Sequence, residues 1–114
     1  MEFEHLPEFD KDLKHLQKRY RSLEEDLVVL RKILTVEPQA SPPRSFTISG
    51  LGTAKEIIKI KKIACKALKG RGANSGIRLI YALHKEEQKI VFIEIYFKGD
   101  KENEDRGRIL KYYS

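Results

Sequence analysis

Residues 76–98 read GIRLIYALHKEEQKIVFIEIYFK, and they carry the clearest strand signal in the chain. Two runs rich in β-branched and aromatic residues, 77–83 and 90–97, flank a polar stretch at 84–89. Such runs are typical of buried strands, and a short polar connection favours antiparallel pairing. Alternation along the second run predicts one face that meets helices and an opposite face that lies outward or in a cleft. The helix-facing set is Val91, Ile93, Ile95 and Phe97, and the opposite set is Phe92, Glu94, Tyr96 and Lys98.

Two helices are predicted upstream of these strands. Pro7 suits a first helical turn, and the apolar residues after it recur every three or four positions, which predicts an amphipathic helix. A second stripe begins at Ser22-Leu23-Glu24-Glu25, which has the form of a capping box, and it ends before Pro38. The two stripes are Phe9, Leu13, Leu16 and Tyr20, and Leu23, Leu27, Leu30 and Leu34. The short break between them predicts an antiparallel helical hairpin, and Phe3 could add an edge strand.

The remaining segments complete the predicted fold. Residues 38–52 hold three of the four prolines, which predicts a connector without a long helix. Isoleucines alternate with lysines over 58–66, which predicts a basic strand with a bulge at Lys61-Lys62. Glycine-rich 70–76 predicts a flexible connection, and the charged stretch 101–113 predicts a short helix. The fold class is therefore α+β: an N-terminal helical hairpin packed on a small antiparallel β-sheet of three to four strands, with a short C-terminal helix.

Length and composition narrow the class of protein. A chain of 114 residues is expected to form a single domain, 1–114. The one cysteine, Cys65, cannot form an intramolecular disulfide and has no metal-ligand spacing around it, so we expect no metal site and a cytoplasmic protein. No apolar run approaches the roughly 20 residues that cross a bilayer, and the acidic start lacks the features of a signal peptide. We therefore expect no membrane partner.

Positive charge is concentrated in one segment. The chain has a net charge of +6, and residues 54–78 contain eight lysines and arginines against Glu56 alone. A localised cluster of this kind favours a polyanionic partner. Nucleic acid is the first candidate for this partner, and an anionic membrane is the second. The alternative is an ordinary strand whose lysines face solvent. The candidate RNA-binding residues are Lys61, Lys62, Lys69 and Arg71.

Reactive chemistry is predicted where the last two strands pair. Arg78 stands in an apolar run, and a guanidinium there needs a carboxylate or a phosphate to offset its desolvation. Antiparallel pairing puts Arg78 opposite about position 96, within reach of Glu94, Tyr96 and Lys98. These side chains could perform acid–base chemistry on a phosphodiester, or Arg78 and Glu94 could form a structural ion pair. His84, at the end of its strand, is a further candidate for proton transfer.

The order of elements and one short motif resemble the RelE/ParE superfamily of small bacterial toxins. Its members typically carry a glycine, an aromatic residue, an arginine, two aliphatic residues and a tyrosine, followed by a polar turn and an aliphatic strand that ends in a basic residue. The matching positions are Gly76, Arg78, Leu79, Ile80 and Tyr81, then Ile90 through Lys98. The resemblance covers nearly the whole chain. It implies an antiparallel sheet cradled by the helical hairpin, with a concave basic face.

The resemblance also implies an activity. In the RelE branch this face enters the ribosomal decoding site and cuts mRNA without a metal, by attack of the RNA 2′-hydroxyl on the adjacent phosphate. Arg78 matches the arginine that stabilises the phosphate, and Lys98 matches the basic residue that ends the next strand. Lys66 and Lys69 fall where the preceding strand supplies a base or a phosphate ligand, and Tyr96 or His84 would serve as the acid. The candidate catalytic residues are Arg78, Lys98, Lys66, Glu94 and Tyr96.

Partners follow from the same resemblance. It implies a cognate antitoxin protein in a hetero-oligomer with this chain, the ribosome and mRNA as further partners, and no cofactor. ParE-like members keep the scaffold but inhibit DNA gyrase, and a shared fold does not separate the two branches. Gyrase inhibition and non-catalytic binding of nucleic acid are therefore the alternatives to mRNA cleavage.

Overall fold

The computed structural model describes residues 1–68, 72 and 74–114. In chain order its elements are β1 (Glu2–His5), α1 (Pro7–Gln17), α2 (Leu23–Val36), β2 (Ser45–Thr47), β3 (Glu56–Ile60), β4 (Ile77–His84), β5 (Lys89–Phe97) and α3 (Arg106–Tyr113). None of the helices in the described ranges combines the length and the apolar content that crossing a membrane requires.

The described strands form one five-stranded sheet in the order β1-β5-β4-β3-β2. β1 runs parallel to β5, and the other neighbours are antiparallel. The α+β class is therefore confirmed, but the sheet is mixed and has more strands than the three to four antiparallel ones expected. The prediction that Phe3 adds an edge strand is confirmed. The unexpected strand is β2, which lies inside the proline-rich connector. It is only three residues long and follows three prolines, so it has no recognisable strand pattern in the sequence.

A bulge in β5 changes which side chains face α1. Ile80 pairs with Glu94 but Tyr81 pairs with Phe92, so one extra residue, Ile93, lies between these pairs. Side chains on the two sides of a bulge lose their simple alternation. The ring of Phe92 consequently lies 5.2 Å from that of Phe9 on α1, on the helix side of the sheet. The predicted placement of Phe92 on the opposite face is wrong for this reason.

The two N-terminal helices bury the predicted stripes. Phe9, Leu13 and Leu16 of α1 are buried, and the stripe of α2 is buried likewise. The capping box at Ser22 is not formed, because the Ser22 hydroxyl instead donates to Asp26 and accepts from the backbone N–H of Ala67. α1 packs mainly on β5 and makes fewer contacts with α2, so its principal neighbour is the sheet.

The segment after β3 leaves the sheet. β3 ends at Ile60, so the predicted continuous strand over 58–66 with a central bulge is wrong. The physical reason is competition for the backbone, because the Asp26 carboxylate accepts the N–H of Lys66 at 3.3 Å and Ser22 accepts that of Ala67 at 2.8 Å. These bonds draw the segment onto the start of α2.

The edge of β5 beyond Phe92 is closed by side chains. β1 pairs with β5 only as far as Phe92. Further along, Asp12 of α1 accepts the backbone N–H of Ile95 at 3.3 Å, and Arg108 of α3 donates to the carbonyl of Ile93 at 2.9 Å. Arg108 and Asp12 also form a partly buried ion pair at 2.7 Å. The predicted C-terminal helix is confirmed as α3, whose first residues are capped by Asp105.

Candidate functional site

The face of the sheet away from α1 carries most of the predicted site residues. Residues paired directly across strands share a face. Arg78 pairs with Tyr96, as predicted from the hairpin, and Lys59 and Glu94 both pair with Ile80. These five side chains therefore project from one surface. The segment that links β5 to α3 covers part of this surface and leaves the rest open.

The uncovered part forms a pocket of about 310 Å³. We call it the open pocket. It brings together four of the predicted residues, Lys61, Lys62, Arg78 and Lys98, and its other lining residues are Pro43, Phe46, Asn74 and Gly76. Three strand ends meet here, namely the ends of β3 and β5 and the start of β4.

Backbone contacts fix the cations of the open pocket. The Arg78 guanidinium donates from Nη1 to the carbonyl of Lys61 at 2.7 Å, which ties β4 to the residues after β3. The backbone N–H of Lys98 donates to the carbonyl of Gly76 at 2.9 Å, which sets Lys98 beside the start of β4. A side chain at Gly76 would be obstructed, because its φ is +84° and an added Cβ would lie 2.8 Å from the ring of Phe97.

The described residues do not compensate the charge of the open pocket. In the described part of the chain, no carboxylate lies within 4.0 Å of the charged groups of Lys61, Lys62, Arg78 or Lys98. Arginine offers five N–H donors in a planar fork, and only Nη1 of Arg78 has an acceptor among the described residues. Like charges held close together favour an anion between them.

The covered part of the face is arranged differently. The term 'covered part' refers to Lys59, Glu94 and Tyr96, which lie beneath Lys101 and Glu104. Lys59 and Glu104 form an ion pair at 2.9 Å with only 13% and 5% of their side chains exposed. Burial opposes the ionisation of both groups, yet the hydrogen bond between them raises the pKa of Lys59 and lowers that of Glu104.

Glu94 and Tyr96 belong to this covered part and do not line the open pocket. Glu94 is 1% exposed, and it accepts from the Lys101 ammonium and from the backbone N–H of Asp105 at 2.8 Å. The alternative in which Glu94 pairs with Arg78 is therefore wrong. Tyr96 is buried, its ring centroid lies 5.3 Å from Lys101 Nζ, and its hydroxyl has no hydrogen-bond partner among the described residues.

The other predicted residues lie elsewhere or outside the described ranges. Lys66 is exposed, lies 3.5 Å from Glu25 and lines a separate groove beside α2. Lys69 and Arg71 fall outside the described residues. His84 is six residues along β4 from Arg78, about 20 Å away at strand spacing. Its Nε2 lies 2.9 Å from the hydroxyl of Tyr113, so the structure places it far from the open pocket.

Sequence reasoning missed Phe46 and Lys59. Phe46 lies in β2, where the alternation of Phe46 and Ile48 with polar residues was the available signal. In the sequence, Lys59 is one of several lysines on the predicted basic strand. What distinguishes Lys59 from the other lysines is its hydrogen bond to Glu104. Glu104 is 45 positions away in sequence, and the path of the chain after β5 brings it close.

The open pocket can bind and polarise a phosphate. Guanidinium and ammonium groups form short, charge-assisted hydrogen bonds with phosphate oxygens, and such donors stabilise negative charge that develops during a reaction. The described lining contains no carboxylate or imidazole. Across the described residues, no three His, Cys, Asp or Glu side chains are grouped so that they could hold a metal ion.

Comparison with known proteins gives structural relatives only. No family model matches the sequence, and no curated protein matches it. The crystal structure of an archaeal RelE–RelB complex from Pyrococcus horikoshii OT3 is similar, with a TM-score of 0.53 and 18% identity over 86% of this chain and 94% of the matched chain. The metal-bound toxin from Helicobacter pylori is similar with a TM-score of 0.57 and 22% identity, over 89% of this chain and 98% of that one.

These likenesses concern the fold. They confirm that the chain has the fold of RelE-like toxins, which the Gly76-to-Tyr81 motif and the order of elements implied.

Proposed function

We propose that this chain is the toxin of a type II toxin–antitoxin pair and acts as a ribosome-dependent mRNA endonuclease. One observation carries the proposal: Lys61, Lys62, Arg78 and Lys98 converge on an open pocket with no carboxylate to neutralise them among the described residues. A scissile phosphate supplies the missing negative charge. The fold shared with RelE-like toxins supports the same conclusion.

The proposed reaction is an internal transfer within the RNA. The 2′-hydroxyl loses its proton to solvent water, its oxygen forms a bond to the adjacent phosphorus, and the bond from phosphorus to the 5′-oxygen breaks as that oxygen takes up a proton from water. The products are a 2′,3′-cyclic phosphate and a 5′-hydroxyl. Arg78 and Lys98 stabilise the additional charge on the phosphate oxygens at the transition state. Lys61 and Lys62 hold the flanking backbone.

The partners and location proposed for the chain follow from this activity. The matched fold of the archaeal structure occurs in a complex of RelE with RelB, which supports a cognate antitoxin for this chain in a hetero-oligomer. A toxin that acts on translating ribosomes works in the cytoplasm. Its substrate is the mRNA in the decoding site.

The decisive experiment compares Arg78→Ala with the wild type in a purified translation system. We expect the rate of mRNA cleavage to fall by about 10²- to 10³-fold, because a donor to the reacting phosphate is lost. Arg78→Lys should recover part of the rate, since it keeps the charge but not the planar fork. Arg21→Ala is the matched control, because Arg21 is an exposed arginine in the turn before α2. Equal cleavage by Arg78→Ala and Arg21→Ala would contradict the proposed site.

A second candidate function is supported by the chemistry of the lining. The described lining offers cations but no carboxylate or imidazole that could exchange protons, and this favours binding of nucleic acid without cleavage. An RNA-binding assay and a gyrase supercoiling assay with the same variants separate the candidates. Salt-sensitive RNA binding that depends on Arg78 and yields no product would establish a binding module, and poisoning of gyrase supercoiling would establish a ParE-like inhibitor.

A further inference from the structure

Phe46 is an exposed aromatic ring in a strongly cationic pocket. It is 38% exposed, whereas the other four phenylalanines are buried or partly buried. Leaving a large apolar side chain in contact with water forgoes the stabilisation that burial gives. The backbone that carries the ring is held in place, because Phe46 pairs with Lys59 in the β2–β3 ladder.

The ring lies beside the cations that would bind phosphate. Lys61 Nζ is 5.0 Å from the centroid of the Phe46 ring, and both residues line the open pocket with Arg78 and Lys98. The pocket volume of about 310 Å³ is at the lower end of the range for sites that hold a small ligand. An exposed ring next to a track of cations is the arrangement that binds single-stranded nucleic acid, where bases stack and phosphates are neutralised.

We infer that Phe46 is a stacking platform for a base that flanks the phosphate held by Arg78 and Lys98. The inference rests on the proposed function, since it assumes that a single-stranded RNA occupies the open pocket. It adds a selection rule to that function. A base can lie flat on Phe46 only when it is unpaired and splayed out of a helix, so the site accepts single strands and rejects duplex RNA of the same charge.

The sequence provides a direct reporter for this contact. The chain contains no tryptophan, so the substitution Phe46→Trp introduces a unique indole fluorophore that a stacked base quenches. Val36→Trp is the control, because Val36 lies at the end of α2 and is 87% exposed. The probes are a short oligouridylate and inorganic polyphosphate of matched charge, both at low ionic strength. Polyphosphate reports binding by the cations alone.

The expected result is a difference between the two probes. Oligouridylate quenches Phe46→Trp but not Val36→Trp, whereas polyphosphate binds both variants without quenching. Phe46→Ala and Phe46→Leu lower the affinity for oligouridylate about tenfold and leave the affinity for polyphosphate unchanged. Phe46→Leu keeps an apolar side chain of similar size, so a loss in this variant reports the aromatic face and not a packing defect.

The outcomes that overturn the inference differ from those that overturn the proposed function. If oligouridylate binding depends on Arg78 but is the same in wild type and Phe46→Leu, the stacking platform is wrong and RNA binding stands. If duplex and single-stranded RNA bind equally, the selection rule is wrong. If oligouridylate binding is absent or independent of Arg78, the stacking platform is wrong, whereas the proposed function is overturned only if Arg78→Ala cleaves mRNA as fast as Arg21→Ala in the translation system. Loss of antitoxin binding by Phe46→Ala with RNA affinity intact would make the ring a protein contact and overturn the inference.

Discussion

The open pocket and the covered part lie on one face of one sheet, yet they differ in whether their lysines are paired with carboxylates. In the covered part, Lys59 pairs with Glu104 and Lys101 pairs with Glu94. In the open pocket, Lys61 and Lys98 have no such partner among the described residues. Lys59 and Lys61 are only two positions apart on the same side of the chain, so the difference comes from what the rest of the fold brings to each lysine.

This contrast indicates what each part is for. A buried charge persists only when it is paired and hydrogen-bonded, so the covered part binds the segment after β5 to the sheet. Cations that repel one another without compensation reduce stability, and such an arrangement is typical of a binding site. Substitutions in the covered part should therefore lower stability and spare RNA binding, and substitutions in the open pocket should do the reverse.

The largest expected effect concerns the backbone that supports the open pocket. Gly76→Ala should lower the free energy of unfolding by about 2–4 kcal/mol, because alanine disfavours a φ of +84° and its Cβ would meet Phe97. Urea unfolding measures this. Gly50→Ala is the matched control, with a φ of +82° and nothing within 4 Å of an added Cβ, so it should lose only about 1–2 kcal/mol. Equal losses would show that the Phe97 contact is unimportant.

The next effect tests the covered part. Glu104→Gln should lower the free energy of unfolding by about 1–3 kcal/mol, because Lys59 loses a charged hydrogen-bond acceptor in a site that is 13% exposed. The affinity for oligouridylate should change less than about twofold. Glu25→Gln provides the control, since its pair with Lys66 is exposed and contributes about 1 kcal/mol or less. A large loss of RNA affinity in Glu104→Gln would break the contrast between the two parts.

The reverse test uses the open pocket. Lys98→Gln should leave the free energy of unfolding within about 0.5 kcal/mol of the wild type and lower the affinity for oligouridylate about three- to tenfold. If Lys98 neutralises one phosphate, the slope of log affinity against log salt should also become shallower by about 0.7. Lys66→Gln, at an exposed lysine outside the open pocket, should change neither quantity. An unchanged slope in Lys98→Gln would remove Lys98 from the site.

The smallest expected effect is a dependence of stability on pH at the far end of β4. Burial, and then the nearby Lys89 and Lys55, lower the pKa of His84. The unfolded chain, in which histidine has its ordinary pKa of about 6.5, therefore takes up the proton first as the pH falls. The free energy of unfolding should decline as the pH drops below about 6.5, until the pH passes the lower pKa of the folded state.

Unfolding experiments with His84→Gln test this origin. The substitution should flatten the decline between about pH 5 and 7, whereas His15→Gln, at an exposed position on α1, should leave it unchanged. A decline that persists in His84→Gln would place its origin at another group.

The sequence predicted the parts of the fold that depend on local pattern. The β4–β5 hairpin, the buried stripes of α1 and α2, and the opposition of Arg78 to position 96 all follow from alternation and spacing. The bulge at Ile93 does not follow from alternation and spacing, because it depends on how β4 and β5 align and not on the composition of β5. The early end of β3 was hidden for a similar reason, since Asp26 and Ser22 come from a helix distant in sequence.

The site was predictable to the same extent. Arg78, Lys98, Lys61 and Lys62 lie near strand ends that hydrophobic pattern locates, and they do line the open pocket. Glu94 and Tyr96 lie on the predicted face of the sheet but do not line the open pocket, because the chain after β5 folds back over them. No pattern within β5 reveals that cover. Phe46 was missed because its strand is three residues long.

The Asp12–Arg108 pair has a consequence for how this protein behaves at high concentration. A strand edge with free N–H and carbonyl groups is a template on which another copy can pair. Here one residue from α1 and one from α3 occupy such groups on β5 beyond Phe92, where β1 no longer pairs with it. A lesion at Asp12 would therefore free the N–H of Ile95 and favour concentration-dependent self-association through β5.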